Sequence, residues 1–308
     1  MDIDLITNIL YATIRTGTPL ILVAFGEMVC EKSGVLNLGQ EGMMLMGAVV
    51  GFAAAVVTGS LMLAILMAIL AGICMSLLFG FLSITLVSNQ VASGLALTIF
   101  GGGLSAFIGA NYVGVGIEGV PPLVIPFLSD IPVIGKAFFA QDPLVYFSFF
   151  MGGLLFFVLT RTRLGLKLRA VGENPEAANS MGIHVHGIRY MAVMFGGAMA
   201  GLAGGYLSLA YTPLWSDGMT AGKGWIALAL VVFASWKVGR IMLGAYLFGI
   251  ASIMHLILQG TGFEISPSIL AMLPYVATIF VLVLLSSNQS KAKLNAPMSL
   301  GVAYRPQL

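Results

Sequence analysis

The chain has 308 residues, 59% of them hydrophobic and 8% charged, with a formal net charge of +2 and a mean hydropathy of +1.01. A soluble domain carries about 25% charged residues, so this composition excludes a water-covered globule and points to a polytopic membrane protein. The near-balanced charge makes no case for nucleic-acid binding, and the apolar runs are continuous rather than alternating, which favours helices over a barrel.

Thirty-nine glycines in so oily a chain point to close helix packing, because small residues let backbones approach one another in lipid. Cys30 and Cys74 fall in or near apolar runs, so no disulfide framework is indicated. The start, Met1-Asp2-Ile3-Asp4, is acidic and lacks a small-residue cleavage site, so the first span is expected to double as the insertion signal.

In chain order, spans are expected near Leu5–Phe25, Gly42–Val57, Leu61–Val87, Val91–Ala110, Leu144–Thr160, Ile188–Tyr211, Trp225–Trp236, Ile241–Leu258 and Ile269–Leu285. Trp225–Trp236 is too short to cross alone, since a helix needs about 20 apolar residues; it either starts earlier or is half of a broken helix. The fold expected is all-α, with about 8–10 transmembrane helices and broken or re-entrant segments. One transmembrane domain spans residues 1–290, with a cytoplasmic loop at 161–189, and a polar, loosely ordered tail occupies 291–308.

Basic residues set the orientation. With the 161–189 loop inside, Lys32, Arg161, Arg163, Lys167, Arg169, Arg189, Lys237, Arg240, Lys291, Lys293 and Arg305 all fall inside, so the C-terminus is cytoplasmic. Lys136 and Lys223 fall outside, as do Asp2, Asp4, Glu118, Asp130, Asp142, Asp217 and Glu264. The asymmetry is weaker in the N-terminal half. The outer loop from Asn111 to Pro143 holds five prolines among apolar residues, which suits a segment dipping into the membrane face or a docking surface.

The first polar segment is Gly34-Val35-Leu36-Asn37-Leu38-Gly39-Gln40-Glu41-Gly42-Met43-Met44. Asn37, Gln40 and Glu41 lie at or near membrane depth, where polar groups are costly and often mark a pathway. Gly34, Gly39 and Gly42 permit a break, which membranes tolerate where it lines a cavity or is buried in protein. The same residues also read as a cytoplasmic turn, with Glu31 and Lys32 as its solvated face.

The second is the basic island Arg161–Arg189. Asn174-Pro175 is a helix start, an N-cap followed by proline at the first helical position. Glu176 sits where a carboxylate favours the helix dipole. Ala177, Ala178 and Met181 make a small, partly apolar face, and Gly182 ends the helix after about two turns. A plain positive-inside loop accounts for the basic residues but not for this capped helix. The third segment is Asp217-Gly218-Met219-Thr220-Ala221-Gly222-Lys223-Gly224-Trp225-Ile226-Ala227-Leu228-Ala229.

These three strings resemble one family. Glu176-Ala177-Ala178, three residues and Gly182, between spans, is similar to the coupling helix of ABC importer permeases, which docks in a groove of the ATPase. The wider string Leu168 to Ala178, with Gly172, Glu173, Asn174 and Pro175, resembles the version in permeases of the branched-chain amino acid, ribose and nucleoside type. Gly34–Met44 resembles the signature of nucleoside and simple-sugar permeases, and Asp217–Ala229 resembles that branch's later signature. There Lys223 fits the usual basic position, while Trp225 stands where a smaller aromatic is expected and would narrow or reshape the pathway.

The resemblance implies a membrane-spanning permease subunit of an ATP-driven importer, translocating a nucleoside or related simple sugar across the cytoplasmic membrane. Its partners would be an ABC ATPase subunit, a second permease chain (commonly a different, related one), an extracytoplasmic solute-binding protein and the small solute itself. It implies ATPase coupling through Gly172–Ala178 and Gly182. The translocation pathway would run past Asn37, Gly39, Gln40, Glu41, Gly42, Lys223 and Trp225. No phosphate-binding loop of the Gly-x-x-x-x-Gly-Lys-Ser/Thr type appears and no nucleophile–base set stands out. The chain is therefore expected to be no enzyme, to have no catalytic residues and to bind no cofactor, with ATP used by the partner.

His184 and His186 diverge on a helix and lack further ligands, so no metal site is expected. His255 either faces the pore or finds a helix partner. Arg15 either snorkels, pairs with Glu27 or faces the cavity. Met43, Met44 and Met46 are read as gap-fillers. The rival class is an ion-coupled secondary transporter or channel without an ATPase. It calls for carboxylates at mid-span, whereas Glu27, Glu31 and Glu41 cluster at one end.

Overall fold

The computed structural model describes residues 3–260, Met272, Val276 and 295–305, with the backbone alone for residues 3 and 255–260. The expected span Ile269–Leu285, the side chain of His255, and Asp2, Glu264, Lys291 and Lys293 lie outside the described residues. Among those described the regular structure is helical, with one isolated bridge between Gly116 and Leu214.

The helices are α1 (Ile3–Lys32), α2 (Gln40–Thr58), α3 (Leu61–Gly80), α4 (Gln90–Gly109), α5 (Ile134–Phe139), α6 (Pro143–Arg161), α7 (Arg163–Glu173), α8 (Pro175–Ser180), α9 (Val185–Tyr206), α10 (Lys223–Phe233) and α11 (Val238–Gly260). Wider-wound turns extend α3 over Phe81–Thr85 and α9 over Leu207–Tyr211. Six of these helices are long and apolar enough to cross a membrane. Their starts follow local rules. Ser60, Asn89, Asp142 and Thr162 each accept a backbone amide from the first turn they precede.

α9 is the axis of the bundle. Of its spanning stretch 83% is buried, against 72% for α1, 67% for α2 and 28% each for α3 and α4. The lipid-facing helices are therefore the peripheral ones. The glycines make the close approach possible where α2, α3 and α9 meet. A side chain at Gly204 would run into the Met44 carbonyl, one at Gly47 into Gly201, and one at Gly72 into the Gly197 carbonyl. In lipid such contacts replace the hydrophobic effect as the force between helices.

α1 contains Pro19, which has no amide to give to the carbonyl four residues earlier, Arg15. The Tyr206 hydroxyl lies 3.2 Å from that carbonyl and 3.4 Å from Asp142 Oδ2, and with one proton serves them in turn. The Arg15 guanidinium donates to the Ala210 carbonyl at 2.6 Å and sits 3.7 Å from Asp142. Of the readings for Arg15, pairing with a carboxylate holds, but the partner is Asp142 rather than Glu27. Asp142 also caps α6, so one knot ties α1, α6 and α9 at the end away from residues 161–189.

The outer loop crosses this same end. Its Ile117 and Val120 amides donate to the Pro213 and Leu209 carbonyls, and Leu123 and Ile125 donate to Gln141 and Phe139. The expectation of a loosely ordered tail does not hold for its described residues, 295–305. Residues 295–305 are packed, with Ser299 and Tyr304 buried, because they supply partners to backbone groups of α7 and of the α1–α2 turn.

The glycine seam makes a direct prediction. Gly204→Val overfills the α2–α9 contact at a cost of about 1–3 kcal/mol, which thermal unfolding of the extracted protein reads as a lowered midpoint. Gly103→Ala, where an added Cβ meets nothing within 4 Å, leaves the midpoint at or above the parent value. Equal midpoints for Gly204→Val and the parent would show that the helices do not meet there.

Candidate functional site

Two of the polar sequence segments meet inside the bundle. α10 has 11 residues, about 16 Å of helix, roughly half the apolar thickness of a bilayer. It is the half-helix that the short run Trp225–Trp236 allowed for. A half-helix leaves its first amides without water to bind. Here the Glu41 carboxylate, from the first turn of α2, takes them. Oε1 accepts from the Gly222 amide at 2.8 Å and the Thr220 hydroxyl at 2.6 Å, and Oε2 accepts from the Gly224 amide at 2.6 Å. The carboxylate also faces the positive end of the helix dipole. Gly224 is obligatory because an added Cβ would press on the Glu41 backbone at 2.7 Å.

The segment before α2 is a buried turn. Ser33, Gly34, Val35, Asn37 and Gly39 are all enclosed, and Glu31 is 0% exposed, so a turn with Glu31 on its solvated face is not what forms. Glu27 of α1 organises it, with Oε1 accepting from the Asn37 amide at 3.0 Å and Oε2 from Gln40 Nε2. Asn37 Oδ1 accepts from the Gly39 amide at 2.9 Å. α4 clamps the outer side. Gln90 accepts from the Leu36 amide at 2.8 Å, Thr98 donates to the Leu38 carbonyl at 3.0 Å, and the backbones touch at Gly42 and Gly101.

The structure therefore ties up the polar atoms of Asn37 and Glu41 within the protein and leaves Gln40 Oε1 without a partner. Asn37 and Glu41 are thus bonded into the junction, and Gln40 bonds into it through Nε2 alone. Lys223 and Trp225 differ. Lys223 is half-buried with Nζ donating to the Thr220 carbonyl at 3.4 Å, and the Trp225 indole is exposed.

Trp236 closes the lower end of α10, its indole N–H donating to Glu31 Oε2. Ser235 and Trp236 both hold left-handed backbones, φ +49 and +54, which cost about 1–2 kcal/mol per residue without glycine. The indole–carboxylate bond helps to hold that turn. Sequence reasoning missed Trp236, Gln90 and Glu27 as members of this network. Acids four apart on one helix, Glu27 and Glu31, were its only visible trace.

The second candidate is the hairpin between α6 and α9. Asn174 accepts from the Ala177 amide at 3.0 Å and Pro175 opens α8. Gly182, at φ +78, ends it in a paired closing motif. Ile183 donates to the Ala178 carbonyl at 3.0 Å and Gly182 to Asn179 at 2.9 Å, while Ile183 packs in the same cluster as Ala178. Gly172 and Ala178 are buried. Gly172 lies so close to the Lys32 carbonyl that no side chain fits. Glu173, Asn174, Glu176, Ala177 and Gly182 are exposed, as is Met181 at 82%. α8 therefore presents a capped face away from the bundle, with Glu176 and Ala177 on it and Met181 at its end. The hairpin, the α1–α2 turn and residues 295–305 share one end of the molecule.

Residues 9–285 match the family described as branched-chain amino acid transport system / permease component. The chain is 39% identical to a putative glucose ABC transporter permease protein of Haloferax volcanii, over 98% of each chain. It is 35% identical to a nucleoside ABC transporter permease protein of Lactococcus lactis, over 93% of each. It is 34% identical to a guanosine ABC transporter permease protein of Bacillus subtilis, over 99% of this chain and 98% of that one. No solved structure matches.

The junction predicts its own failure. Glu41→Ala leaves the Thr220 hydroxyl and the Gly222 and Gly224 amides without an acceptor, at about 1–3 kcal/mol for each buried group. Thermal unfolding should show a midpoint well below that of Met298→Ala, at an exposed position. An unchanged midpoint would mean that Glu41 does not cap α10.

Proposed function

The chain belongs to the branched-chain amino acid transport system permease family, and from that premise we propose that it is the membrane subunit through which an ATP-driven importer passes a nucleoside. The observation that carries the reading is α8, a six-residue helix capped at both ends and exposed on the face turned away from the bundle. A cytoplasmic ATPase would seat this helix, with Glu173, Glu176, Ala177 and Met181 at the contact and Gly172 and Gly182 fixing its angle. The end that carries α8 would then be cytoplasmic, in keeping with its basic residues.

A second, related permease chain would supply the other half of the pathway, and a binding protein outside would deliver solute. The pathway wall on this chain is the exposed side of the α10 start, with Trp225 and Lys223. Glu41 holds that start in place from behind, and Asn37, Gly39, Gln40 and Gly42 build the turn and the helix start that carry Glu41. ATP would be bound and hydrolysed by the partner, whose closure would tilt the spans and alternate access.

The nucleoside choice is supported by the form of Gly34–Met44 and by the flat indole of Trp225, which suits stacking on a base. A simple sugar also stacks on an indole, and one relative is named for glucose. Uptake competition separates the two. Unlabelled purine nucleosides should suppress uptake of labelled guanosine while excess glucose does not; competition by glucose alone would make this a sugar permease. Affinity purification of the tagged chain should bring down an ATPase. Glu176→Lys, which reverses charge at an exposed site, should leave the protein at normal levels in the membrane and abolish ATP-driven uptake. Normal uptake by that variant would overturn the coupling assignment.

A further inference from the structure

The C-terminal segment 295–305 touches both halves of the machinery. α8 has one buried residue, Ala178. The apolar bed beneath it is made by Val171 of α7, Val185 of α9 and Tyr304 of the tail. Tyr304 is held in turn. The Arg189 guanidinium lies 5.8 Å from its ring centroid and the His186 ring 5.6 Å away. Five residues earlier, the Ser299 amide and hydroxyl both donate to the Gly172 carbonyl, at 2.9 and 2.6 Å. That carbonyl lies in the last turn of α7 and has no partner within the helix.

The same segment grips the buried α1–α2 turn. The Gly301 amide donates to the Gly34 carbonyl at 3.2 Å. Gly34, at φ +86, lies so close to Ser299 that any side chain would collide with its hydroxyl. Arg189, 2% exposed, links all three parts. Nε donates to the Ser33 carbonyl at 3.2 Å, Nη1 to Val302 at 3.4 Å and Nη2 to the Ser299 hydroxyl at 3.5 Å. From the α1–α2 turn the chain of contacts continues through Glu27, Asn37 and Gln40 into α2, where Glu41 holds the start of α10.

We propose that Tyr304, Ser299 and Arg189 are positioning residues for ATPase coupling, and that the C-terminal segment links the movement of α8 to the α1–α2 turn and so to α10. This rests on the reading of α8 as the ATPase-docking helix. The physical reason is leverage. A helix of six residues with one buried side chain cannot transmit force unless the surface beneath it is fixed, and here the tail supplies part of that surface and joins it to the turn. A shift of α8 toward or away from the bundle must move Tyr304. Tyr304 moves Ser299 and Gly301, whose bonds end on Gly172 and Gly34.

The test uses the assembled importer in proteoliposomes, with its ATPase, partner permease and binding protein, reading guanosine taken up per ATP hydrolysed. Tyr304→Ala should assemble with the ATPase and still hydrolyse ATP, while uptake per ATP falls roughly tenfold. Tyr304→Phe, which keeps the ring in the bed under Ala178, should restore it, and Ser299→Ala should fall in the same direction. Met298→Ala, in the same segment but 83% exposed, should match the parent. Parent-like uptake per ATP in Tyr304→Ala would overturn the proposal. So would a loss that only follows the amount of complex assembled, the mark of a purely structural residue. If no ATPase copurifies with the unaltered chain, the reading of α8 fails instead, and the two failures are told apart by that control.

Discussion

A short helix that begins against the interior of a bundle leaves its first amides in need of acceptors, and the carboxylate of Glu41 takes two amides at the start of α10, those of Gly222 and Gly224. Much of the architecture follows from that one interaction. It lets the 11-residue α10 start against the first turn of α2, where Thr220 of the segment after α9 is buried. It buries a carboxylate without leaving it unsatisfied, because two amides and a hydroxyl donate to it and the helix dipole favours its charge. It also explains the glycines around it. Gly222 adopts a left-handed backbone, and Gly224 must approach the backbone of α2.

The same rule, that every buried backbone group needs a partner, orders the rest of the bundle. The carbonyl freed by Pro19 finds Tyr206, and the Ala210 carbonyl, in the wider-wound end of α9, finds Arg15. The carbonyl of Gly172 finds Ser299, and those of Ser33 and Val302 find Arg189. Each is a long-range tie made by a polar side chain. Together with the glycine contacts of α2, α3 and α9 they do in lipid what apolar burial does in water. Of the three carboxylates that an ion-coupled transporter would offer, Glu27 and Glu41 have both oxygens bonded, and Glu31 bonds Trp236 through Oε2 while its Oε1 has no partner.

The polar ties also divide the molecule by stiffness. At one end, Arg15, Asp142 and Tyr206 lock α1, α6 and α9 together. At the other, the hairpin, the α1–α2 turn and the tail form a layered unit in which α8 has the fewest buried contacts of its own. A transport subunit needs that contrast between a fixed frame and a movable edge, since a uniformly packed bundle would have no element to bias. In the proposed importer the ATPase would act on that edge.

What the amino-acid sequence determined by itself was everything set within a few residues. Composition set the membrane class, and continuous apolar runs set the expected spans from α2 to α11 to within a turn or so, while α1 runs about two turns past the expected Phe25, to Lys32. The local triad of Asn174, Pro175 and Gly182 set α8, because N-cap, first-turn proline and left-handed glycine act on neighbouring backbone. The motif strings at Gly34, Leu168 and Asp217 carried the family. Tertiary structure decided the partners. Glu41 and Gly224 are 183 positions apart, Arg15 and Ala210 195 apart, and Ser299 and Gly172 127 apart. A side chain's hydrogen bond depends on which helix the bundle places beside it, and no periodicity records that. The tail shows the limit most plainly. As a polar stretch it reads as loosely ordered, yet its described part, 295–305, is held in place because α7, α9 and the α1–α2 turn leave donors and acceptors that only a folded neighbour can complete.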